Sequence, residues 1–338
     1  MNLGTGTLKE GCQTIIGEIL GQPSVTHHSS TELSALAYPS RFTGQLPSAP
    51  DLAAMQQQWQ QLYYARNQNQ ACRIQILQTE GIRYSETAFR KLCTDLGIKL
   101  NQWLNTPEFR TVDRILRNQL ARTDDAQIIL EISDPQIRKL PWHLWQLFEA
   151  YPCATLSFSA CNWQPLSPHP ASASQPRILA AFGNSHGLDL AADFQTLSDL
   201  PNTRLDVLQS PSLNQLHEKL WQPQGWDIFF FAGHSQTDGD IGVIDLNEQE
   251  RLSIHQIKHA LSKAIANGLK IAIFNSCDGL GLAQQLLELP IPYVVVMKEP
   301  VPDHSCPKIF AISTDGLCCR SALSFGGERS LSTTGWPG

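Results

Sequence analysis

No run of about 18 apolar residues occurs anywhere in the 338-residue chain, and its longest apolar stretches, such as 228–232 and 293–297, are only strand-sized. A membrane-spanning helix is therefore not expected. Excess positive charge is missing too: 25 Lys and Arg stand against 31 Asp and Glu, a net charge of −6. That balance argues against a nucleic-acid binder that works by neutralising phosphates. The nine cysteines, at 12, 72, 93, 153, 161, 277, 306, 318 and 319, include no C-x-x-C pair, so no structural metal site is expected. No G-x-G-x-x-G or Walker loop follows the first strand after Pro176, which weakens a nucleotide-binding reading and leaves residues 183–187 as a turn-rich connection. The N-terminus lacks the charged start, apolar middle and cleavage site of a secretory signal. A reducing cytoplasm is then the expected compartment, with the cysteines as thiols. What is present, 42% hydrophobic and 17% charged residues, is the composition of a globular chain of one or two domains.

Residues 1–50, rich in Gly, Ser, Thr and Pro, read as a loose lead-in with one short element near 14–20. From Leu52 an apolar stripe at three-to-four spacing (Met55, Trp59, Leu62, Tyr63) predicts a helix. A strand is expected over 74–77, a helix from Ser85 through Leu104, and another after Pro107. A strand over 128–132, a helix over 140–148 and a strand over 155–158 complete an N-terminal α/β subdomain at 51–161. Four prolines between 162 and 176 mark a linker. Beyond it, strands at 177–182, 204–208, 227–232, 243–246, 271–274 and 293–297 alternate with helices at 194–200, 213–221, 254–266 and 280–289. Continuous apolar strands separated by amphipathic helices predict an α/β fold with a mostly parallel sheet covered on both faces.

In such sheets chemistry gathers at the carboxyl ends of the strands. Two strands end in reactive side chains: 227–232 runs through Gly233 into His234, and 271–274 runs through Asn275 and Ser276 into Cys277. If the two strands are neighbours, about 4.8 Å apart, imidazole and thiol come within reach of each other. A free cysteine is only a few per cent thiolate at neutral pH, and an adjacent imidazole raises that fraction.

The run Phe-Phe-Ala-Gly-His-Ser, then Ile-Phe-Asn-Ser-Cys-Asp-Gly-Leu-Gly-Leu-Ala and Ile-Pro-Tyr-Val-Val-Val-Met-Lys-Glu-Pro-Val-Pro-Asp, resembles the CHAT domain family, caspase-like domains related to caspases and separase. Trp-Leu-Asn-Thr-Pro-Glu-Phe-Arg and Leu-Pro-Trp-His-Leu-Trp-Gln-Leu-Phe-Glu extend the likeness upstream, to roughly residues 50–303. The resemblance implies a caspase-like catalytic subdomain at 177–303 and, in 51–161, an inactive caspase-like half. It implies a cysteine endopeptidase acting on protein or peptide substrates, with Cys277 as nucleophile, His234 as general base, and the backbone N–H groups of Ser235 and Cys277 as oxyanion hole. No cofactor is implied, although some relatives need calcium. Regulatory partners such as TPR proteins are, and neither nucleic acid nor membrane is. Relatives that cut after Arg or Lys carry an acid two positions before the cysteine. Asn275 stands there, which leaves Asp278, Asp240 and Asp245 as candidate pocket acids. Residues 304–338 hold three cysteines and no sustained period, and read as an out-of-frame or truncated end. The alternative function is a catalytically inactive pseudo-protease that serves as an interaction or scaffold module.

Overall fold

The computed structural model describes residues 1–19, 41–67, 85–120, 122, 126–159, 175–238, 241–276, 282, 285–286 and 289–297. The expected strand at 74–77, most of the linker and the segment 304–338 lie outside them. The chain divides into two compact units, residues 1–59 with 90–163 and residues 60–89 with 164–338. Among the described residues no helix is long and apolar enough to cross a membrane.

Within the lead-in expected over 1–50, the one short element expected near 14–20 is a strand, and a second strand at 41–46 was not expected. Cys12–Glu18 (β1) and Arg41–Leu46 (β2) form an antiparallel pair, with Cys12, Ile15, Phe42 and Leu46 buried. A register shift between Cys12 and Ile15 breaks the alternation, and Ile16 is exposed, so the two-residue period is hidden in the sequence. The helices Pro50–Asn67 (α1), Glu86–Leu104 (α2) and Pro107–Gln119 (α3) follow, the last with proline at its first turn, where a missing N–H costs nothing. Gln127–Glu131 (β3), Pro135–Lys139 (α4), Gln146–Ala150 (α5) and Thr155–Ser159 (β4) close the first unit, with β3 and β4 parallel. Asn2 exchanges two backbone bonds with Ile16, and Leu3 donates to Glu131, so the two strand pairs are joined through the first residues.

The single helix expected over 140–148 is also corrected. Pro141 disfavours helical backbone at Leu140, and Trp145 is extended at φ −64°, ψ 123°. What forms instead is a 3-10 turn at Trp142–Leu144 between α4 and α5. The break lets Trp142 and Trp145 turn inward, with ring centroids 6.4 Å apart and Trp103 and Phe109 against them. The buried indole N–H of Trp142 donates to the Ile137 carbonyl at 2.8 Å.

Cys12 is completely buried. Burial, with a smaller contribution from Asp134, pushes its thiol from the ordinary 9.0 up to about 11. Between those values the unfolded chain loses a proton that the folded chain keeps. Stability is therefore untouched by this group below pH 9 and falls by roughly 1.4 kcal/mol per pH unit above it. Urea unfolding at pH 8 and pH 10 is expected to show that slope, and Cys12→Ala to remove its share.

In the second unit, Arg177–Phe182 (β5), Ala191–Ser198 (α6), Arg204–Gln209 (β6), Leu213–Leu220 (α7), Ile228–Ala232 (β7), Ser235–Asp238 (β8), Ile241–Asp245 (β9), Arg251–Ser253 (β10), Ile254–Ala266 (α8), Ile271–Asn275 (β11) and Tyr293–Val296 (β12) follow in order. Five strands form an all-parallel sheet in the order β12-β11-β7-β5-β6, while β8, β9 and β10 make a separate antiparallel meander. Of the helix expected over 280–289, Leu282, Gln285, Leu286 and Leu289 are described: the first three are helical and Leu289 is a bend.

Every residue of β7 and β11 is buried, because the sheet is covered on both faces. Alternate strand residues therefore enter two cores. Leu179, Ala181, Phe229, Phe231, Ala272 and Phe274 pack with Leu216 and Leu220 of α7 and with Ile257, Ala260 and Leu261 of α8. Ile178, Ala180, Phe182, Ile228, Phe230, Ala232, Ile271 and Ile273 pack with Leu190 and Leu197 at α6. The capping box of Ser212 and Gln215 starts α7 where the strand pattern stops. The architecture is the expected one: a parallel sheet flanked by helices, as in a caspase-like α/β fold.

Candidate functional site

From β5 the chain moves to β6 on one side, then crosses back to β7 on the other, so the crevice between the carboxyl ends of β5 and β7 is a topological switch point. His234 stands at that crevice. On its far side β7 pairs with β11 in register, with Ala232 opposite Asn275. His234 lies two residues beyond Ala232, and Cys277 two residues beyond Asn275. The two strands are thus the neighbours that the pairing of imidazole with thiol needs. Cys277 itself lies outside the described residues, as do Asp240 and Asp278.

The Nε2 of His234 is 2.8 Å from the carbonyl oxygen of His186. A carbonyl only accepts, so this nitrogen carries the proton, and in the neutral ring Nδ1 is the nitrogen with a lone pair for proton abstraction. Three strand ends hold that carbonyl in place. The N–H of Gly183 donates to Ala232 (2.8 Å), that of Asn184 to Asp245 (3.0 Å), and that of Asp245 to His234 (3.0 Å). The Asn184 side chain accepts from the N–H of His186 at 3.0 Å and folds the loop over. Such an approach requires glycine at two points. A Cβ on Gly183 would lie 2.3 Å from the Asp245 carbonyl oxygen, and Gly233 has φ 155° with its missing Cβ facing the Gly183 backbone. The segment 183–187, read from sequence as a mere connection, is therefore what orients His234.

Asn275 is buried at the end of β11, and its Nδ2 donates to Oδ1 of Asp193 at 2.8 Å. Asp193 belongs to the first turn of α6 and is completely buried. The sequence reading began this helix at 194 and so missed the residue. The signal was nonetheless there: Asp193 lies three residues after Leu190 and four before Leu197, on the helix's buried stripe. Asp245 is on β9 with its carboxylate 3.2 Å from Nε of Arg251. Ser235 opens β8, buried, and pairs with Ile244. A polar cavity of about 630 Å³ opens at the same end, lined by His186 with Asn184, Ser210, Ser212, Gln215 and Asn247. Among the described residues no three His, Cys, Asp or Glu side chains are grouped so that they could hold a metal ion.

The family model of the CHAT domain matches residues 94–312, more than half of the chain. The match starts later than the resemblance read from residue 50, and it takes in the first residues of the segment 304–338. No curated protein matches the chain.

Proposed function

Because the chain belongs to the CHAT domain family, a caspase-like family, we propose that it is a cysteine endopeptidase with Cys277 as nucleophile and His234 as general base. The observation that carries this reading is the oriented imidazole, with Nε2–H on the His186 carbonyl, beside the in-register strand whose sequence runs on to Cys277. His234 Nδ1 takes the thiol proton, and the thiolate attacks the peptide carbonyl carbon. The C–N bond breaks as imidazolium returns the proton to the leaving amine, which leaves a thioester. Water then attacks the thioester, giving a proton to Nδ1, and the thiol is regained as the acid leaves. The backbone N–H groups of Ser235 and Cys277 are the donors for the oxyanion. The amide- and hydroxyl-rich cavity beside His186 suits a peptide backbone better than an apolar ligand. Protein or peptide substrates are the ligands of this reading, and regulatory proteins, TPR-containing ones among them, its partners. A reducing cytoplasm suits a catalytic thiol.

The competing reading, an interaction module without turnover, has in its favour the aperiodic sequence beyond residue 312. Thiol labelling with iodoacetamide separates the two. In the active enzyme, labelling at Cys277 near neutral pH is expected to be about 10- to 100-fold faster than at exposed Cys153, and to lose that advantage in His234→Ala. Equal rates at the two thiols would sink the enzymatic reading.

A further inference from the structure

The wall of the cavity beside His186 has one hydrogen-bonding sense. Asn184 turns its side-chain oxygen to the N–H of His186 at 3.0 Å, and Gln215 turns its own to the N–H of Ser212 at 2.9 Å. An amide held by its oxygen presents its NH2 group, which only donates. The Ser212 hydroxyl oxygen accepts from the N–H of Gln215 at 3.3 Å, which leaves its O–H to donate as well. A wall of donors suits a ligand of acceptors, either an anion or a run of carbonyls. The charges decide against the anion. Glu248 is in the wall, no Lys or Arg is among the described residues that line it, and the first N–H of α7, at Leu213, is already taken by the Glu250 carboxylate at 2.9 Å. An extended peptide remains, with one carbonyl per residue.

The cavity is tied to the chemistry through His186, whose carbonyl accepts from Nε2 of His234 at 2.8 Å. Asn184 and His186 follow β5, Ser212 follows β6, and β11 is on the opposite side of β7. In the endopeptidase reading His234 gives its proton to the leaving amine, so the amine half of the substrate begins at this ring. The acyl half is captured on the β11 side, which leaves the β5 and β6 side to the amine half. From β7 to β6 is two strand spacings, about 10 Å, or about three residues of extended chain. We propose that the cavity binds the second to fourth residues after the scissile bond through their backbone carbonyls, and that Glu248 favours lysine or arginine among them; this rests on the endopeptidase reading. Glu248 is exposed, so its attraction for a cation is worth only a few-fold in rate. The carbonyl bonds, which every sequence can make, carry most of the binding.

The test uses the full chain and a peptide that it cleaves, in two lengths, with the products separated by chromatography. One form ends one residue after the scissile bond, and the other carries four. The longer form is expected to exceed the shorter by about 10-fold or more in kcat/KM. Lysine in place of aspartate at the third residue after the bond is expected to raise the rate by about 3- to 10-fold. Glu248→Lys is expected to reverse that order, which a merely structural role of the turn would not do. Equal rates for the two lengths overturn the proposal. So does a wild type without the lysine preference, or a preference that survives Glu248→Lys. In each of these cases the His234-dependent labelling of Cys277 stays fast, and the endopeptidase reading stands. If that labelling is slow and no peptide is cleaved, both fall together.

Discussion

His234→Ala is expected to lower peptide hydrolysis by about 1,000-fold or more, with a melting midpoint close to that of the parent. Two effects combine. On the endopeptidase reading, the thiol of Cys277 loses the base that makes it thiolate, and the leaving amine loses its proton donor. The ring is only partly buried, on a loop that backbone bonds hold independently of it, through Gly183, Asn184 and Asp245. His234→Gln is the sharper control. Its amide nitrogen can still donate to the His186 carbonyl, but it has no nitrogen lone pair for proton abstraction, so its loss of rate should match that of alanine. Full activity in the glutamine variant would mean that the bond to His186, rather than proton transfer, is what the histidine provides.

The largest stability effect is expected from Phe230→Ala, about 3–5 kcal/mol out of the 5–15 kcal/mol typical of a whole domain. Phe230 is completely buried in the middle of β7, paired with Ala180 of β5 on one side and Ile273 of β11 on the other. Its ring is 5.9 Å from that of Phe182, and α6 covers it. With a sheet strand on either side, the cavity left by the ring has little room to collapse. Urea unfolding should show a lower midpoint with an unchanged slope. Trp221→Ala, where the ring is 49% exposed, should stay within about 0.5 kcal/mol of the parent. A small effect at Phe230 would contradict the two-sided packing of the sheet.

What the sequence made legible follows from that packing. Strands buried on both faces, such as 228–232 and 271–274, are unbroken apolar runs, and α8 ends at Asn267-Gly268, so these elements declare themselves locally. β1 and β2 do not, because a bulge interrupts their period and Ile16 faces outward. The meander of β8 to β10 is too short and mixed to stand out: only the arm at 243–246 was expected, one strand of three. At the site, His234 was legible as a reactive side chain just beyond a strand end, while Cys277 lies outside the described residues. The partner of His234 was not, since a backbone carbonyl can belong to any residue, and His186 supplies one without using its imidazole. Asp193 was missed for another reason: it is bonded to Asn275, 82 residues away, and only the folded sheet brings the two together.

The flush ending of β7 against β11, with Ala232 opposite Asn275, makes the site depend on counting as well as on chemistry. In a strand each added residue turns every later side chain to the other face. One residue inserted between Ala232 and His234 would send the imidazole toward the α7 and α8 side of the sheet, away from the His186 carbonyl, with every original residue still present. Two inserted residues would restore the face but overshoot the edge. Substitutions in these two segments are therefore survivable according to what they replace, whereas insertions and deletions are survivable hardly at all, and the lineage of this chain should record changes of letter there but not of length.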